Sequence, residues 1–298
     1  MNRVILVFDI DGVVRDVSGS YRRAIADAVE HFTAGAFRPN SLDIDSLKSE
    51  GVWNNDWQAS FELVCRYFEG IGRSRNQLAF NYDELVAFFQ SRYRGPDDRN
   101  WTGYICDEPL LLSPAYLENL TVGGIVWGFF SGAMRDEAAY VLEGKLGLNS
   151  PVLVAMEDAP GKPDPTGLFA AIEQLENMHG LPNNLPVIYA GDTVADIYTI
   201  VKAREVQPNR VWLGMGILPP HVLDDSVRCE AYAASLKNAG AAAVFRNVEE
   251  LTASRIREII KTAVSTAPTQ TMCADSRKTA VETASTQTMS GWCADSRK

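Results

Sequence analysis

The first apolar block, Val4-Ile5-Leu6-Val7-Phe8, has no polar alternation and stops at Asp9-Ile10-Asp11-Gly12. Such a block predicts a strand buried on both faces, as in a parallel sheet. From Ser20 to Phe32 the apolar spacing becomes helical, with Tyr21, Ala24, Ile25, Ala28, Val29 and Phe32 on one face. Helical patterns continue through residues 41–93, including Trp57 to Val64 and Tyr82 to Tyr93, until Gly95-Pro96-Asp97-Asp98 breaks them. Beyond residue 107 strands and helices alternate. Strands are predicted at 124–130, 152–155, 187–190, 210–214 and 242–245, and helices at 134–146, 166–178, 194–202, 231–239 and 248–264. Repeated βα units predict an α/β fold, a Rossmann-like parallel sheet with helices on both faces. The all-helical stretch reads as an insertion after the first strand. Gly214 to His221 has no GxGxxG spacing and is too rich in proline to open a nucleotide-binding helix, so it is expected to form a loop near the rim of the core.

The segment 265–298 has a different texture. It is rich in Thr, Ser and Ala, and Thr269-Gln270-Thr271-Met272-Cys273-Ala274-Asp275-Ser276-Arg277-Lys278 recurs nearly intact as Thr286 to Met289 and Cys293 to Lys298. Its low hydrophobicity predicts a flexible tail or docking appendage without a core of its own.

Charge narrows the partners. The 298 residues carry 28 Lys plus Arg against 38 Asp plus Glu, a net of −10. An acidic surface repels polyanions, which argues against nucleic acid, yet a small anion can bind where the site supplies local positive charge. The five cysteines form no CxxC pair and there are three histidines, so zinc is not expected and the thiols read as reduced, as in a cytoplasmic protein. Cys65 and Cys106 read as small buried hydrophobes. The first apolar run is too short for a leader or a span, and no membrane partner is expected. The oligomeric state stays open.

The acidic residues fall where chemistry is expected. Asp9 and Asp11 lie just past a buried strand, at the end where open α/β sheets bind ligands, and their i, i+2 spacing puts both on one side of an extended chain. Asp192 and Asp196 follow the Val187–Ala190 strand in the same way, four residues apart at a helix start. Ser131-Gly132 places a hydroxyl between a strand end and a helix N-terminus, a natural anion site. Lys162 sits between Gly161 and Pro163.

The ordered set Asp9-Ile10-Asp11-Gly12-Val13-Val14, Ser131-Gly132, Lys162-Pro163 and Gly191-Asp192-Thr193-Val194-Ala195-Asp196 resembles the four motifs of the haloacid dehalogenase (HAD) superfamily. It is similar to the subfamily with a helical cap inserted between the first two motifs. The resemblance implies a catalytic core of residues 1–15 and 108–264 and an α-helical cap of residues 16–107. It further implies Asp9 as nucleophile, Asp11 as acid and base, and Mg²⁺ held by Asp9, the Asp11 carbonyl and Asp192. Asp196 would orient metal waters or Lys162. Ser131 and the N–H groups of Gly132 and Ala133 would hold phosphoryl oxygens, and Lys162 would balance charge.

Dehalogenases of this family lack an acid/base Asp at the position of Asp11, because a halide needs no proton to leave. Asp11 therefore favours a phosphatase or a phosphomutase over a dehalogenase, and the first reading is a phosphatase acting on a small phosphorylated metabolite such as a sugar or polyol phosphate. A phosphomutase is the alternative, and a non-catalytic binding module the third reading. Phosphonatase chemistry on this scaffold uses a Schiff-base lysine in the cap, where Lys48 is the only lysine. Hinges are expected near Arg15-Asp16 and residues 96–107. Trp53, Asn54, Asn55 and Asp56 are candidate contacts to the leaving group; equally, this is a helix start capped by Asn55 or Asp56, with Trp57 packed beneath. Arg22 and Arg23 are candidates for positive charge near the phosphate, with at least one on the surface.

Overall fold

β1 (Val4–Phe8) runs through the middle of a parallel sheet. This computed structural model describes residues 3–266 except Asn54, Ala79 and Asp98. The repeated tail lies, from residue 267 onward, outside the described residues. β2 (Ile125–Phe130), β3 (Leu153–Val154), β4 (Val187–Gly191), β5 (Trp212–Ile217) and β6 (Ala243–Phe245) complete the sheet in the order β3-β2-β1-β4-β5-β6, all neighbours parallel. This order bears out the Rossmann-like α/β reading. It also creates a switch point between β1 and β4, where the chain first builds to one side and then to the other.

The pleat explains why β1 is apolar throughout. Val4, Leu6 and Phe8 enter one core with Leu117, Leu120, Val141, Leu142 and Ile256, while Ile5 and Val7 enter the other with Leu168, Ile172, Leu175 and Ile200. Helices α5 (Pro114–Val122), α6 (Arg135–Ala139) and α10 (Ala253–Thr266) supply the first face. The second is covered by α7 (Thr166–His179) and α8 (Val194–Val206), with α9 (Ser226–Asn238) beyond. Each fully buried side chain of this size contributes about 1.5–3 kcal/mol of transfer free energy. Between β1 and α5 come α1 (Tyr21–Phe32), α2 (Ser41–Lys48), α3 (Asp56–Gly70) and α4 (Tyr82–Tyr93), which pack around Ile25, Val29, Leu47, Val64 and Phe89. No helix among the described residues is long and apolar enough to cross a membrane. Cys65 is buried as expected, and Cys106 half-buried.

The structure corrects several boundaries. The strand expected at 210–214 is Trp212–Ile217, so Gly214 and Gly216 are not loop residues but buried strand positions. They are glycines because a Cβ on Gly214 would lie 2.8 Å from Ile200 of α8, and one on Gly216 2.9 Å from Leu236 of α9. Only Pro219 onward leaves the sheet, through a short turn at Pro220–Val222. Helix α9 starts at Ser226 rather than 231, because Asp225 caps it by accepting from Val227 and Arg228. The expected closing helix from 248 is a short Val248–Glu250 turn and then α10. Helix α6 continues as a wider π turn over Tyr140–Lys145, and α5 has no counterpart in the sequence reading.

Candidate active site

Asp9 and Asp192 are the first residues past β1 and β4, the two strands that flank the switch point. The Asp9 N–H still donates to Ala190 at 2.8 Å, so strand pairing carries the aspartate into line with the end of β4. The chain then turns at Gly12, at φ 73°, where any Cβ would overlap the Asp192 carboxylate. Gly191 is required for the same reason: a Cβ there would overlap the side chain of Asp196.

Asp196 is the third residue of α8 and closes a capping box with Thr193: its Oδ2 accepts from the Thr193 N–H at 2.9 Å and the Thr193 hydroxyl at 2.6 Å. Its Oδ1 accepts from Tyr189 at 3.0 Å and pairs with Lys162 at 2.7 Å. Lys162 also pairs with Asp9 Oδ1 at 2.6 Å, and all three charged groups are buried. The Asp9 contact is an ion pair without an aligned hydrogen bond, since Oδ1 is buried and receives no directed donor.

The electrostatics are strained toward the neutral acid at two positions. Burial, with repulsion from Asp196 and Asp11, pushes the Asp9 carboxyl up to about 7 against the pull of Lys162. Burial and the charges of Asp196 and Asp9 raise Asp192 well above the carboxylate range. Burial also works against Asp196, but Lys162 and the Thr193 bonds outweigh it and hold that carboxyl low. Lys162 is kept charged by Asp196 and Asp9 although burial opposes this. Oxygens of Asp9, Asp192 and Asp196 lie within 4.8 Å of one another, a spacing that suits one cation.

Asp11 faces another way. Its Oδ1 accepts from Arg15 Nε at 2.6 Å, and the same guanidinium donates to Glu108 at 2.8 Å while lying 5.4 Å from the Tyr21 ring. Arg15 is completely buried and was missed as a site residue; its only signal was the four-residue spacing from Asp11. Ser131 is buried, and its Oγ accepts from the Ala133 N–H at 3.1 Å. Gly132 reaches the cavity wall, whereas Ser131 and Ala133 lie behind it.

These groups open into a cavity of about 110 Å³. The core supplies Asp9, Asp11, Gly132, Lys162 and Asp192; the helical segment supplies Arg22, Lys48, Asn55, Asp56 and Trp57. Arg23 is instead exposed over the Tyr104 ring. Asn55 caps α3 by accepting from the Trp57 and Gln58 N–H groups, as one of the two sequence readings has it, and it also lines the cavity. Asp56 is there too, paired with Lys48 at 2.6 Å. Trp53 is not on this wall: its indole N–H donates to Glu50 at 2.8 Å, and it lines the adjoining hollow. Asn54 lies outside the described residues. Tyr21, Glu137, Met156, His221 and Tyr232 also line the cavity, with no motif to announce them.

Comparison with known proteins agrees with this fold. A curated imidazoleglycerol-phosphate dehydratase from Phytophthora nicotianae is 30% identical over 257 residues, which is 84% of this chain; the chain spans about half of that protein, 49% of its length. Among solved structures, a phosphonoacetaldehyde hydrolase-like protein from Oleispira antarctica shares the fold with TM-score 0.64 and 15% identity, over 88% of this chain and 94% of that one. Phosphatase Tt82 from Thermococcus thioreducens does so with TM-score 0.52 and 20% identity, over 70% and 91%. The haloacid dehalogenase-like hydrolase family matches residues 5–204, more than half of the sequence, and this chain is therefore a member of that family of hydrolases.

Proposed function

We propose that the protein is a Mg²⁺-dependent phosphatase that hydrolyses a small phosphate monoester, a sugar or polyol phosphate, through a phosphoaspartate on Asp9. The observation that carries this reading is the convergence of Asp9, Lys162, Asp192 and Asp196 at the switch point between β1 and β4. The donor set fits a hard divalent cation: it is all-oxygen and anionic, with oxygens of three carboxylates within 4.8 Å of one another. Asp9, Asp192 and the Asp11 carbonyl would hold it, and Mg²⁺ would supply charge neutralisation for the phosphate. Asp196 is occupied by Lys162, Tyr189 and Thr193, which favours its role as the anchor of Lys162 over that of a ligand.

In the proposed reaction Asp9 attacks phosphorus, its Oδ–P bond forms, and the bond to the leaving alcohol breaks. Asp11 gives a proton to the leaving oxygen, then takes one from the water that releases phosphate from Asp9. Arg15 sets the resting position of the Asp11 carboxylate. Lys162 offsets negative charge as it builds, where removal from water makes that charge count most. The helical segment acts as the cap, excluding water and contacting the leaving group.

The test is phosphate release from a panel of metabolite phosphates, with Mg²⁺ or EDTA, beside Asp9→Asn. Imidazoleglycerol phosphate belongs in the panel, because it is a polyol phosphate and the relative with that name shares this region. Mg²⁺-dependent release that vanishes in the variant supports the reading. Isomer formation without phosphate release would make the enzyme a mutase instead. One observation favours a second reading: Lys48, the lysine of the α1–α4 segment, lines the same cavity. A carbonyl-bearing phosphonate would form a Schiff base there, which borohydride traps. The Lys48–Asp56 ion pair and the presence of Asp11 weigh against it.

A further inference from the structure

The cavity at Asp9 adjoins a second hollow of about 430 Å³ between α2 and the α8–α9 side of the core, and the two share Arg22, Lys48, Thr193 and Tyr232 as walls. Their charges are opposite. Six carboxylates (Asp9, Asp11, Asp16, Asp56, Glu137 and Asp192) and three cations (Arg22, Lys48 and Lys162) line the first. The second has three cations, Arg22, Lys48 and Arg228, against the single carboxylate of Asp45.

Asp45 is shared. It forms ion pairs with both Arg22 and Arg228, and His221 stands 3.5 Å away. One carboxylate between two guanidiniums leaves a net charge of +1. It also leaves donors unused, because Nε of Arg22 and Nε of Arg228 are both buried without an acceptor. A second anion in the hollow would balance the excess guanidinium charge. The protein's net charge of −10 makes this local excess of positive charge stand apart from the rest of the surface.

We infer that this hollow is a subsite for a second anionic group on the substrate, a carboxylate or a second phosphate carried at the far end of the leaving group. The inference rests on the phosphatase reading of Asp9, and it narrows the substrate class to phosphate esters that are anionic at both ends. Asp45 is then the resident carboxylate that holds the two arginines when no substrate is bound.

The experiment compares substrates that differ only in the remote group: a hexose monophosphate with the corresponding phosphorylated sugar acid, and with the corresponding bisphosphate. The wild type is expected to favour the doubly anionic partner by about tenfold or more in kcat/KM. Which of the two anions is preferred identifies the group. Arg228→Gln should lower that ratio about tenfold, with Arg228→Lys restoring part of it, and Asp45→Asn should raise it. A merely structural role for the cluster would lower activity in both variants and leave the ratio unmoved, and that result overturns the inference. So does a wild-type preference for the singly anionic ester. Calorimetric binding of the hexose bisphosphate to Asp9→Asn protein, with and without Arg228→Gln, reads the subsite independently of turnover. If no ester is hydrolysed yet Arg228→Gln weakens this binding, the phosphatase reading fails and the subsite stands. Equal binding with and without Arg228→Gln removes the subsite.

Discussion

The carboxyl edge of the sheet and the helical segment between β1 and β2 both line the cavity, but they reach it by different routes. At the sheet edge three of the carboxylates lie immediately past a strand or within the first turn of a helix: Asp9 after β1, Asp192 after β4, Asp196 in α8. Backbone pairing sets their positions, and Gly12 and Gly191 let them approach. In the helical segment Arg22, Lys48, Asn55 and Trp57 come from three helices and a cap, and meet only because α1–α4 pack around a common core. The first arrangement suits chemistry that must stay constant; the second can change its wall by single substitutions without disturbing the sheet.

The sharpest break between the two regions is expected at Asp9. Asp9→Asn keeps shape and removes the nucleophile, so kcat for phosphate release should fall on the order of 10⁴-fold or more, with an unchanged circular dichroism spectrum. A purified variant as active as the wild type would remove the sheet edge from the chemistry altogether.

Lys162 and Asp196 test whether that edge is one electrostatic unit. Lys162→Met leaves Asp9 and Asp196 buried without their cation, and breaking such a pair destabilises by about 3–5 kcal/mol. Activity should drop on the order of 10²–10³-fold, the range for losing a group that stabilises developing charge. Asp196→Asn keeps one oxygen to accept from Thr193, while the amide NH2 on the other side no longer accepts from Tyr189 or Lys162 and so loosens Lys162; its activity loss should be smaller. Equal losses in the two variants would mean that Asp196 does more than anchor the lysine.

That contrast explains what was legible in the sequence. β1 and the four motifs could be read because strand burial, the turn and the carboxylates are contiguous there. The end of β5 was placed three residues early because Gly214 and Gly216 look like loop residues until their packing against Ile200 and Leu236 is known. Ser131 and Lys162 were singled out by position, and of the two Lys162 lines the cavity; no pattern shows that the Ser131 hydroxyl is engaged with Ala133. His221, Arg228 and Tyr232 have no local signature at all: each gains its place from an element distant in the chain, as the Arg228–Asp45 pair shows.

The two regions are joined where the chain leaves and re-enters the core, by Arg15 and Glu108. Burial pushes the Glu108 carboxyl from 4.5 up to about 7, against the pull of Arg15 and the bonds from Ser20 and Tyr93. The folded state therefore holds a proton that the unfolded chain loses near 4.5. The stability this proton supplies is fully present below that pH and is lost as pH rises through about 7, on the order of 2–3 kcal/mol in all. Glu108→Gln mimics the protonated form. It should melt several degrees, about 5 °C, above the wild type at pH 8, and the gap should close toward pH 4.5. A gap that is the same at both pH values would show that Glu108 is not titrating in this range.

The smallest effect falls on Asn55, where two roles share one side chain. Its Oδ1 accepts from the Trp57 and Gln58 N–H groups at 3.0 Å and caps α3, while its amide nitrogen lies 3.7 Å from Met156 Sδ, on the cavity wall. Asn55→Ala removes both and should cost about 1 kcal/mol of stability. Asn55→Ser retains a capping oxygen and loses only the amide. If the amide touches the leaving group, both variants shift the ratio of kcat/KM between a metabolite phosphate and an aryl phosphate, by about fivefold to tenfold for one hydrogen bond. If Asn55 is a cap and nothing more, Asn55→Ala melts lower, Asn55→Ser melts like the wild type, and neither ratio moves. The serine variant separates the two because it removes only the amide and keeps a capping oxygen for α3.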